Sequence, residues 1–227
     1  MKQHNFTLTI ILTFILSFAA FGQQTVEQIS PSLKNPKAAE LVKRALDEEK
    51  ANMPEKAIET FKEILKLEPK DFAAMNSIAG NYGRLGNAMQ QNFWAKMSID
   101  TNPKFMKAYI NYGNSFLMQR KFNEAIASYE KAAELEPKNH LPVYNLGVVY
   151  EIQGRIKEAH VYYKKTVELA PNFENGLFNL AATSANLKQF DEAKVLLKKV
   201  LELNPKAEDA RQMLKAVEED IAKTKKP

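Results

Sequence analysis

Apolar residues recur at helical spacing along most of this chain. Within residues 122–133, one helical face carries Phe122, Ala125, Ile126, Tyr129, Ala132 and Ala133. Near the C-terminus a second stripe, flanked by charged residues, consists of Ala210, Met213, Leu214, Val217 and Ile221. Strand signals are scarce, and the abundant alanine, leucine, lysine and glutamate favour helices. The pattern therefore predicts an all-α protein.

Five prolines are separated by a constant interval of 34 residues: Pro69, Pro103, Pro137, Pro171 and Pro205. Proline lacks a backbone N–H and biases the preceding residue away from the helical conformation, so each of these prolines should end a helix at the same phase. A fixed period of this length is typical of stacked repeats, in which each unit is one supersecondary motif.

Two further positions recur at a fixed distance from these prolines. Twenty-four residues before each proline the residue is small: Ala45, Ala79, Gly113, Gly147 and Ala181. Eight residues before each proline it is mostly large: Phe61, Ala95, Tyr129, Tyr163 and Leu197. We interpret this pairing as two antiparallel helices per unit, which approach closely at the small residue while the large one fills the space beyond. Glycine inside a helix costs up to ~1 kcal/mol, so Gly113 and Gly147 are expected where close approach offsets that cost.

These small, large and proline positions make the chain similar to the tetratricopeptide repeat family. The resemblance implies five helix-turn-helix repeats, stacked as a right-handed superhelical solenoid, over residues 38–71, 72–105, 106–139, 140–173 and 174–207. In each repeat the first helix is expected to fill about the first 14 positions, and the second to begin near position 17. Residues 208–227 are expected to form a C-terminal capping helix followed by a basic tail.

The N-terminal segment, residues 1–22, has the order expected of a secretory signal peptide: one lysine, an apolar run from Phe6 to Phe21, and then polar residues. Ala20 and Gly22 supply the small residues that precede a cleavage site after Gly22. The run is short for a membrane span, which needs about 20 residues. Residues 23–37 are expected to be a flexible linker. Cleavage predicts an exported protein, periplasmic or secreted, whereas retention of the segment would anchor the repeats at a membrane face.

Composition narrows the possible chemistry. The formal net charge is +5, but four lysines lie in the leader or the tail, which leaves only +1 on residues 23–222. A basic face for nucleic acid is therefore not expected. The chain has no cysteine, and outside the leader its only histidines are His140 and His160. Without an HExxH or a nucleophile motif, we expect no metal, no cofactor and no enzymatic activity.

In the family that the chain resembles, the first helices line a concave groove that holds a peptide or a partner helix. The resemblance places these inward positions at Asn76, Lys107, Asn111, Asn114, Tyr144, Asn145, Phe178 and Asn179. Asn111, Asn145 and Asn179 are spaced by 34 residues and form a ladder. An amide both donates and accepts, which suits the backbone of an extended peptide. Asparagine at this phase also bonds within the stack, and that alternative stays open.

The repeat over 72–105 departs from the pattern. Gln91 stands twelve residues before its proline, where the other repeats have Ala57, Ala125, Ala159 and Ala193. Ala95 stands where an aromatic residue is expected, and the only tryptophan, Trp94, comes one position early. Either Trp94 packs inward in place of the missing ring, or it is an exposed hot spot for a partner, a role in which tryptophan is enriched.

Chaperone-binding members of the family clamp a terminal carboxylate with lysine, arginine and asparagine on successive first helices. Lys107 and Asn111 match fragments of that set, but Val42, Leu46 and Leu141 occupy other positions of it. This clamp is therefore not expected here.

Taken together, these features predict an exported, non-enzymatic scaffold or adaptor that binds a protein or extended peptide in its concave groove. The alternative is a membrane-tethered structural subunit of an envelope assembly. An envelope enzyme is disfavoured because the repeats leave no residues in which to house an active site.

Overall fold

The computed structural model of the protein describes residues 35–224, and this part of the chain forms eleven helices and no strand. In chain order they are α1 (Pro36–Lys50), α2 (Pro54–Leu67), α3 (Phe72–Arg84), α4 (Ala88–Thr101), α5 (Met106–Met118), α6 (Phe122–Leu135), α7 (His140–Ile152), α8 (Ile156–Leu169), α9 (Glu174–Asn186), α10 (Phe190–Leu203) and α11 (Glu208–Thr224). The predicted all-α fold is confirmed. The predicted signal segment, most of the linker and the end of the tail lie outside the described residues.

Helix lengths repeat with the 34-residue period. From α3 to α10, helices of 13 and 14 residues alternate. Each second helix ends two residues before one of the five periodic prolines. The residue between helix and proline is extended, as at Asn102 with φ −140° and ψ 94°. That conformation is the one a following proline favours, so the prolines end the helices as the sequence predicts.

The turn inside each helix pair contains one residue in the left-handed region. Its φ lies between 56° and 73° in all five turns, at Asn52, Gly86, Arg120, Gly154 and Lys188. A left-handed residue after a helix lets the backbone reverse direction while the last carbonyl groups keep hydrogen-bond partners. Glycine adopts this conformation freely, whereas a residue with a Cβ costs roughly 1–2 kcal/mol there.

Replacing Gly154 with alanine is expected to lower the free energy of unfolding by about 1 kcal/mol. The added methyl group would meet no atom within 4 Å, so backbone strain is the main new cost. Lys188→Ala is the matched control, because Lys188 occupies the same phase and already carries a Cβ. Urea denaturation of both variants measures the difference, and equal losses would contradict the explanation.

The described helices fall into two compact units. The first unit contains α1–α6 and ends at Leu135, and the second contains α7–α11 and begins at Glu136. Within each unit every helix packs against the next one in sequence. In addition α3 contacts α5 in the first unit, and α9 contacts α11 in the second. The first helices of neighbouring pairs therefore lie side by side, as in a repeat stack.

Close approach explains two of the helical glycines. A Cβ added to Gly113 would lie 2.6 Å from Cε1 of Tyr129, and one added to Gly147 would lie 2.7 Å from the same atom of Tyr163. Both tyrosine rings are fully buried. The two helices of each pair are thus so close at this point that no side chain fits, as the paired small and large positions predict.

The irregular repeat replaces this contact with a different one. Gln91 is buried, and its amide lies 2.6 Å from where a Cβ of Gly83 would be. Ala95 is also buried, and Trp94 packs against the core cluster formed by α1, α2 and α3. This arrangement corresponds to the first interpretation of Trp94, in which its ring substitutes for the missing aromatic residue. Gly83 is the compensating change that the sequence analysis missed.

Helix α11 completes the core of the second unit. Ala210 and Val217 are buried in one cluster with Leu197 of α10, and the Lys194 ammonium lies 2.8 Å from the Glu218 carboxylate. Charged residues at the ends and outer face of α11 remain exposed. None of the helices within residues 36–224 has the length and apolar character needed to cross a bilayer.

Candidate functional site

The predicted groove residues of the first unit lie on the neighbouring first helices α3 and α5. The Asn111 side-chain amide donates to Asn76 Oδ1 at 2.8 Å and to the Asn76 carbonyl at 3.2 Å. Both asparagines are only partly buried. This rung of the predicted ladder therefore bonds within the stack, while each side chain keeps part of its surface in contact with solvent.

The other two predicted residues of this unit are Lys107 and Asn114, and both are partly buried. Asn114 Oδ1 accepts a hydrogen bond of 2.7 Å from the hydroxyl of Tyr129. The Asn114 amide nitrogen is not engaged by that bond and can donate elsewhere. Burial raises the pKa of Tyr129 far above its ordinary value, so this hydroxyl stays protonated and remains a donor.

In the second unit a single hydrogen bond links two of the predicted residues. The Asn179 amide donates to the Tyr144 hydroxyl at 3.1 Å. Asn179 is only 7% exposed, so it holds Tyr144 in position and offers little surface of its own. The Tyr144 ring also packs edge-on against Phe173, with centroids 5.1 Å apart. Burial raises the pKa of Tyr144 to about 12, which keeps its hydroxyl neutral.

Asn145 and Phe178 complete the predicted set, and both are partly buried. Within residues 35–224, nothing hydrogen-bonds the Asn145 amide. Phe178 packs against the edge of the core cluster that includes Leu177 and Ala181. This surface of the second unit thus combines a positioned tyrosine, an edge-packed phenylalanine and an amide with unused hydrogen-bonding capacity.

Two glutamates of the repeats accept hydrogen bonds from buried side chains, which the sequence pattern did not predict. Glu151 accepts a hydrogen bond of 2.5 Å from the hydroxyl of buried Tyr163. Burial raises the pKa of Glu151, and the tyrosine hydrogen bond partly opposes that rise. Glu49 likewise accepts from the buried amide of Asn81, and desolvation raises its pKa. In the sequence, Glu151 lies twelve residues before Tyr163, and this spacing is the signal from which their contact could have been predicted.

Three positions of the carboxylate clamp hold apolar residues, at Val42, Leu46 and Leu141. Val42 is fully buried in the core of the first unit, and Leu46 packs against the same cluster. Leu141 is 40% exposed and can offer no charge to a carboxylate. Residues 35–224 therefore do not assemble this clamp.

The two histidines of the repeats lie in unrelated environments. The His140 ring packs on Phe173, with centroids 4.6 Å apart. His160 Nδ1 lies 3.3 Å from the hydroxyl of Thr183. Burial lowers the pKa of both imidazoles. Among the described residues no group of histidines and carboxylates is arranged to hold a metal ion.

Two family models match the chain in overlapping stretches. One is described as "TPR repeat" and covers residues 113–154, and the other is described as "Tetratricopeptide repeat" and covers residues 150–218. The helix pairs of the structure recur at the same period through both stretches. The chain is a tetratricopeptide repeat protein. Proteins of this family act as protein-binding scaffolds and are generally not enzymes.

Among curated tetratricopeptide repeat proteins, the chain is similar to Hsp70-Hsp90 organizing protein 2 of Arabidopsis thaliana. The two are 31% identical over 83 residues, which is 37% of this chain and 14% of the plant protein. The chain spans between 14% and 24% of the curated relatives that it matches. The similarity is therefore confined to a repeat segment within longer proteins.

Solved tetratricopeptide repeat structures share the fold over much more of the chain. A thermophilic member from Thermus thermophilus is 18% identical, has a TM-score of 0.68, and aligns over 79% of this chain and 98% of its own. PilW, described as a widely conserved type IV pilus biogenesis factor, is 22% identical, has a TM-score of 0.65, and aligns over 74% of this chain and 78% of its own. At these identities the likeness shows the fold alone.

Proposed function

We propose that this chain is an exported, non-enzymatic adaptor that holds a protein or an extended peptide against the first helices of its repeats. The observation that carries the proposal is the surface of α7 and α9, where Asn179 fixes Tyr144 beside the unengaged amide of Asn145. A fixed aromatic side chain loses little conformational entropy on binding, and an adjacent amide can both donate to and accept from a peptide backbone.

The Asn76–Asn111 rung of the first unit supports the same proposal. Each of these amides keeps partial solvent exposure and has hydrogen-bonding capacity beyond the bond that joins them. Lys107 adds a cation one helical turn before Asn111. A partner with a polar backbone could form hydrogen bonds with these amides.

The comparisons support an adaptor, whereas the residues at two positions of the chaperone clamp argue against one particular partner. The plant relative is by its name an organizer of Hsp70 and Hsp90. Val42 and Leu46 occupy two clamp positions and lie in the apolar core, so we do not propose a chaperone terminus as the ligand.

Export is proposed from the apolar leader, which lies outside the described residues. The likeness to a pilus biogenesis factor is compatible with an envelope location. Retention of the leader would make the chain a membrane-tethered structural subunit, although the 16-residue apolar run is shorter than the about 20 residues of a membrane span. An intact-mass measurement on the protein isolated from its own cells separates the two. A chain that starts at Gln23 supports the free adaptor, and a chain that starts at Met1 supports the tethered subunit.

Site-specific photocrosslinking tests the binding surface. A photoreactive amino acid at Phe178 or in place of Tyr144 is expected to capture a partner in intact cells. The same group in place of Val195, an exposed residue of the second helix α10, is the control and should capture little. The triple variant Asn111→Ala, Tyr144→Ala, Asn145→Ala should abolish the Phe178 crosslink while the melting curve shows a folded protein. Equal crosslinking from Val195, or no effect of the triple variant, would refute the proposed surface.

A further inference from the structure

The second helix of the irregular repeat carries large apolar side chains on its solvent face. Met89 is 77% exposed, Phe93 54% and Met97 38%. Because the three are spaced by four residues, they lie on one ridge of α4, about 12 Å long. We refer to these three residues as the α4 stripe.

The stripe is not required by the repeat fold. In the other second helices the same three phases are occupied by Glu55, Glu59 and Glu63 in α2, by Asn123, Ala127 and Lys131 in α6, by Lys157, Val161 and Lys165 in α8, and by Asp191, Val195 and Lys199 in α10. Each of these sets contains at least one charged residue. Among the helix pairs that the structure describes, only α4 presents large apolar residues at all three phases, so packing within the repeat does not explain them.

The stripe has the symmetry of a contact between identical chains. An isologous interface places the same patch of both subunits face to face around a two-fold axis. With the axis at Phe93, two antiparallel copies of α4 bring Phe93 against itself and Met89 of each copy against Met97 of the other. The stripe reads methionine, phenylalanine, methionine in both directions, so every apolar residue meets an apolar residue. Methionine sulfur also packs favourably at aromatic edges.

The charge and exposure of the α4 stripe agree with self-association. Lys96 is the one charged residue between Met89 and Met97, and it is ion-paired with Asp100 of the same helix, so the facing stretches carry little uncompensated charge. Beside the stripe lies a shallow depression lined by Met89, Asn92, Phe116, Gln119 and Lys121, which can receive a side chain of a facing copy. Met89, Phe93 and Met97 are 77%, 54% and 38% exposed, so a large part of three apolar side chains is available for burial against a second copy.

We propose that the α4 stripe is a homodimer interface, in which two copies of this chain pack α4 against α4 in antiparallel orientation. The surface lies on a second helix, so it is separate from the first-helix residues proposed to hold a partner. A dimer formed in this way presents two copies of the binding surface to the same target, which raises avidity where the target carries more than one site.

Sedimentation of the full chain tests the proposal. The wild-type protein is expected to reach the mass of a dimer with rising concentration. The variant Met89→Glu, Phe93→Glu, Met97→Glu reproduces the outward residues of α2 and should raise the dissociation constant by about 100-fold or more. The control variant Val161→Glu, Val195→Glu changes equally exposed residues of the second unit and should leave the mass unchanged. The wild-type protein and both variants carry the same N-terminal leader, so a difference in mass between them is caused by the substitutions and not by the leader.

Disulfide trapping tests the two-fold axis independently of the glutamate variants. The chain has no cysteine, so Phe93→Cys introduces a single thiol. It is expected to form a covalent dimer rapidly under mild oxidation, whereas Val195→Cys should not. A wild-type chain that stays monomeric at the highest concentration reached overturns the proposal, and the stripe would then belong to another protein or to the chain's own apolar leader. A dimer that survives the triple substitution, or that is trapped equally well through Val195→Cys, also overturns it.

Discussion

Replacing Gly113 with alanine is expected to lower the free energy of unfolding by about 2 kcal/mol, one of the largest effects of a single methyl group in this chain. Alanine is the better helix former by up to ~1 kcal/mol, so the intrinsic preference of the helix acts in the opposite direction. The new Cβ would lie 2.6 Å from the ring of Tyr129, which is fully buried and has no space into which to move. Helices α5 and α6 must separate to admit it, and urea denaturation measures the resulting loss.

A second substitution provides the control. The last repeat has Ala181 and Leu197 at the phases of Gly113 and Tyr129, and both lie in one core cluster. The double variant Gly113→Ala, Tyr129→Leu should therefore be more stable than the sum of the two single changes predicts. A double-mutant cycle gives this coupling, and purely additive effects would show that the contact with the ring is not the cause.

Replacing Tyr163 with phenylalanine is expected to cost about 1–3 kcal/mol at neutral pH, because it leaves the Glu151 carboxylate without its donor. In the wild-type protein the Tyr163 hydroxyl donates to Glu151 Oε2 at 2.5 Å. Burial already disfavours the charge on this carboxylate, and the hydrogen bond compensates for part of that cost.

The stability lost in Tyr163→Phe should depend on pH, and the pKa of Glu151 determines whether the loss grows or shrinks as pH rises. Burial raises this pKa above the value of 4.5 that the carboxyl has in an unfolded chain. The folded state then binds more protons between the two values, so the contribution of Glu151 to stability falls as pH rises through that window. Removing the hydroxyl raises the folded-state pKa further. The variant should therefore differ least from wild type below pH 4.5 and most at neutral pH.

Tyr129→Phe is the matched control for this pH dependence. Tyr129 occupies the same phase one repeat earlier, but its hydroxyl donates to the neutral amide of Asn114 at 2.7 Å. Its loss should be about 1 kcal/mol and nearly independent of pH. Chemical denaturation of both variants across the acid range distinguishes them, and parallel pH profiles would argue against an ionised Glu151 as the acceptor.

The repeat architecture could be predicted because it depends on residues whose effect is local or periodic. A proline such as Pro103 limits its own helix wherever the rest of the chain lies. The pairing of Gly113 with Tyr129 follows from a spacing that recurs in every unit. The packing of the irregular repeat was harder to predict. The larger Gln91 fits only because Gly83 on the facing helix has no side chain, and neither residue by itself indicates this contact.

The candidate binding surface was predictable in position but not in its hydrogen bonding. The phase of Asn111, Asn145 and Asn179 is visible in the sequence. Their states differ, however: Asn111 bonds to the preceding first helix, Asn179 is buried beneath the Tyr144 hydroxyl, and the Asn145 amide is unengaged. Side chains of identical type at identical phase diverge because each one meets different neighbours on the adjacent helix.

By itself, then, the sequence determined the helical class, the 34-residue period, the place where the second helix of each repeat ends and the absence of cysteine chemistry. Those properties depend on backbone restrictions and on the distribution of apolar residues along one chain. The tertiary structure decided which amides remain available, that Glu151 lies beneath Tyr163, and that Trp94 packs inward while Phe93 stays exposed. These depend on contacts between helices, and a contact fixes burial and hydrogen-bond partners only when both surfaces are in place.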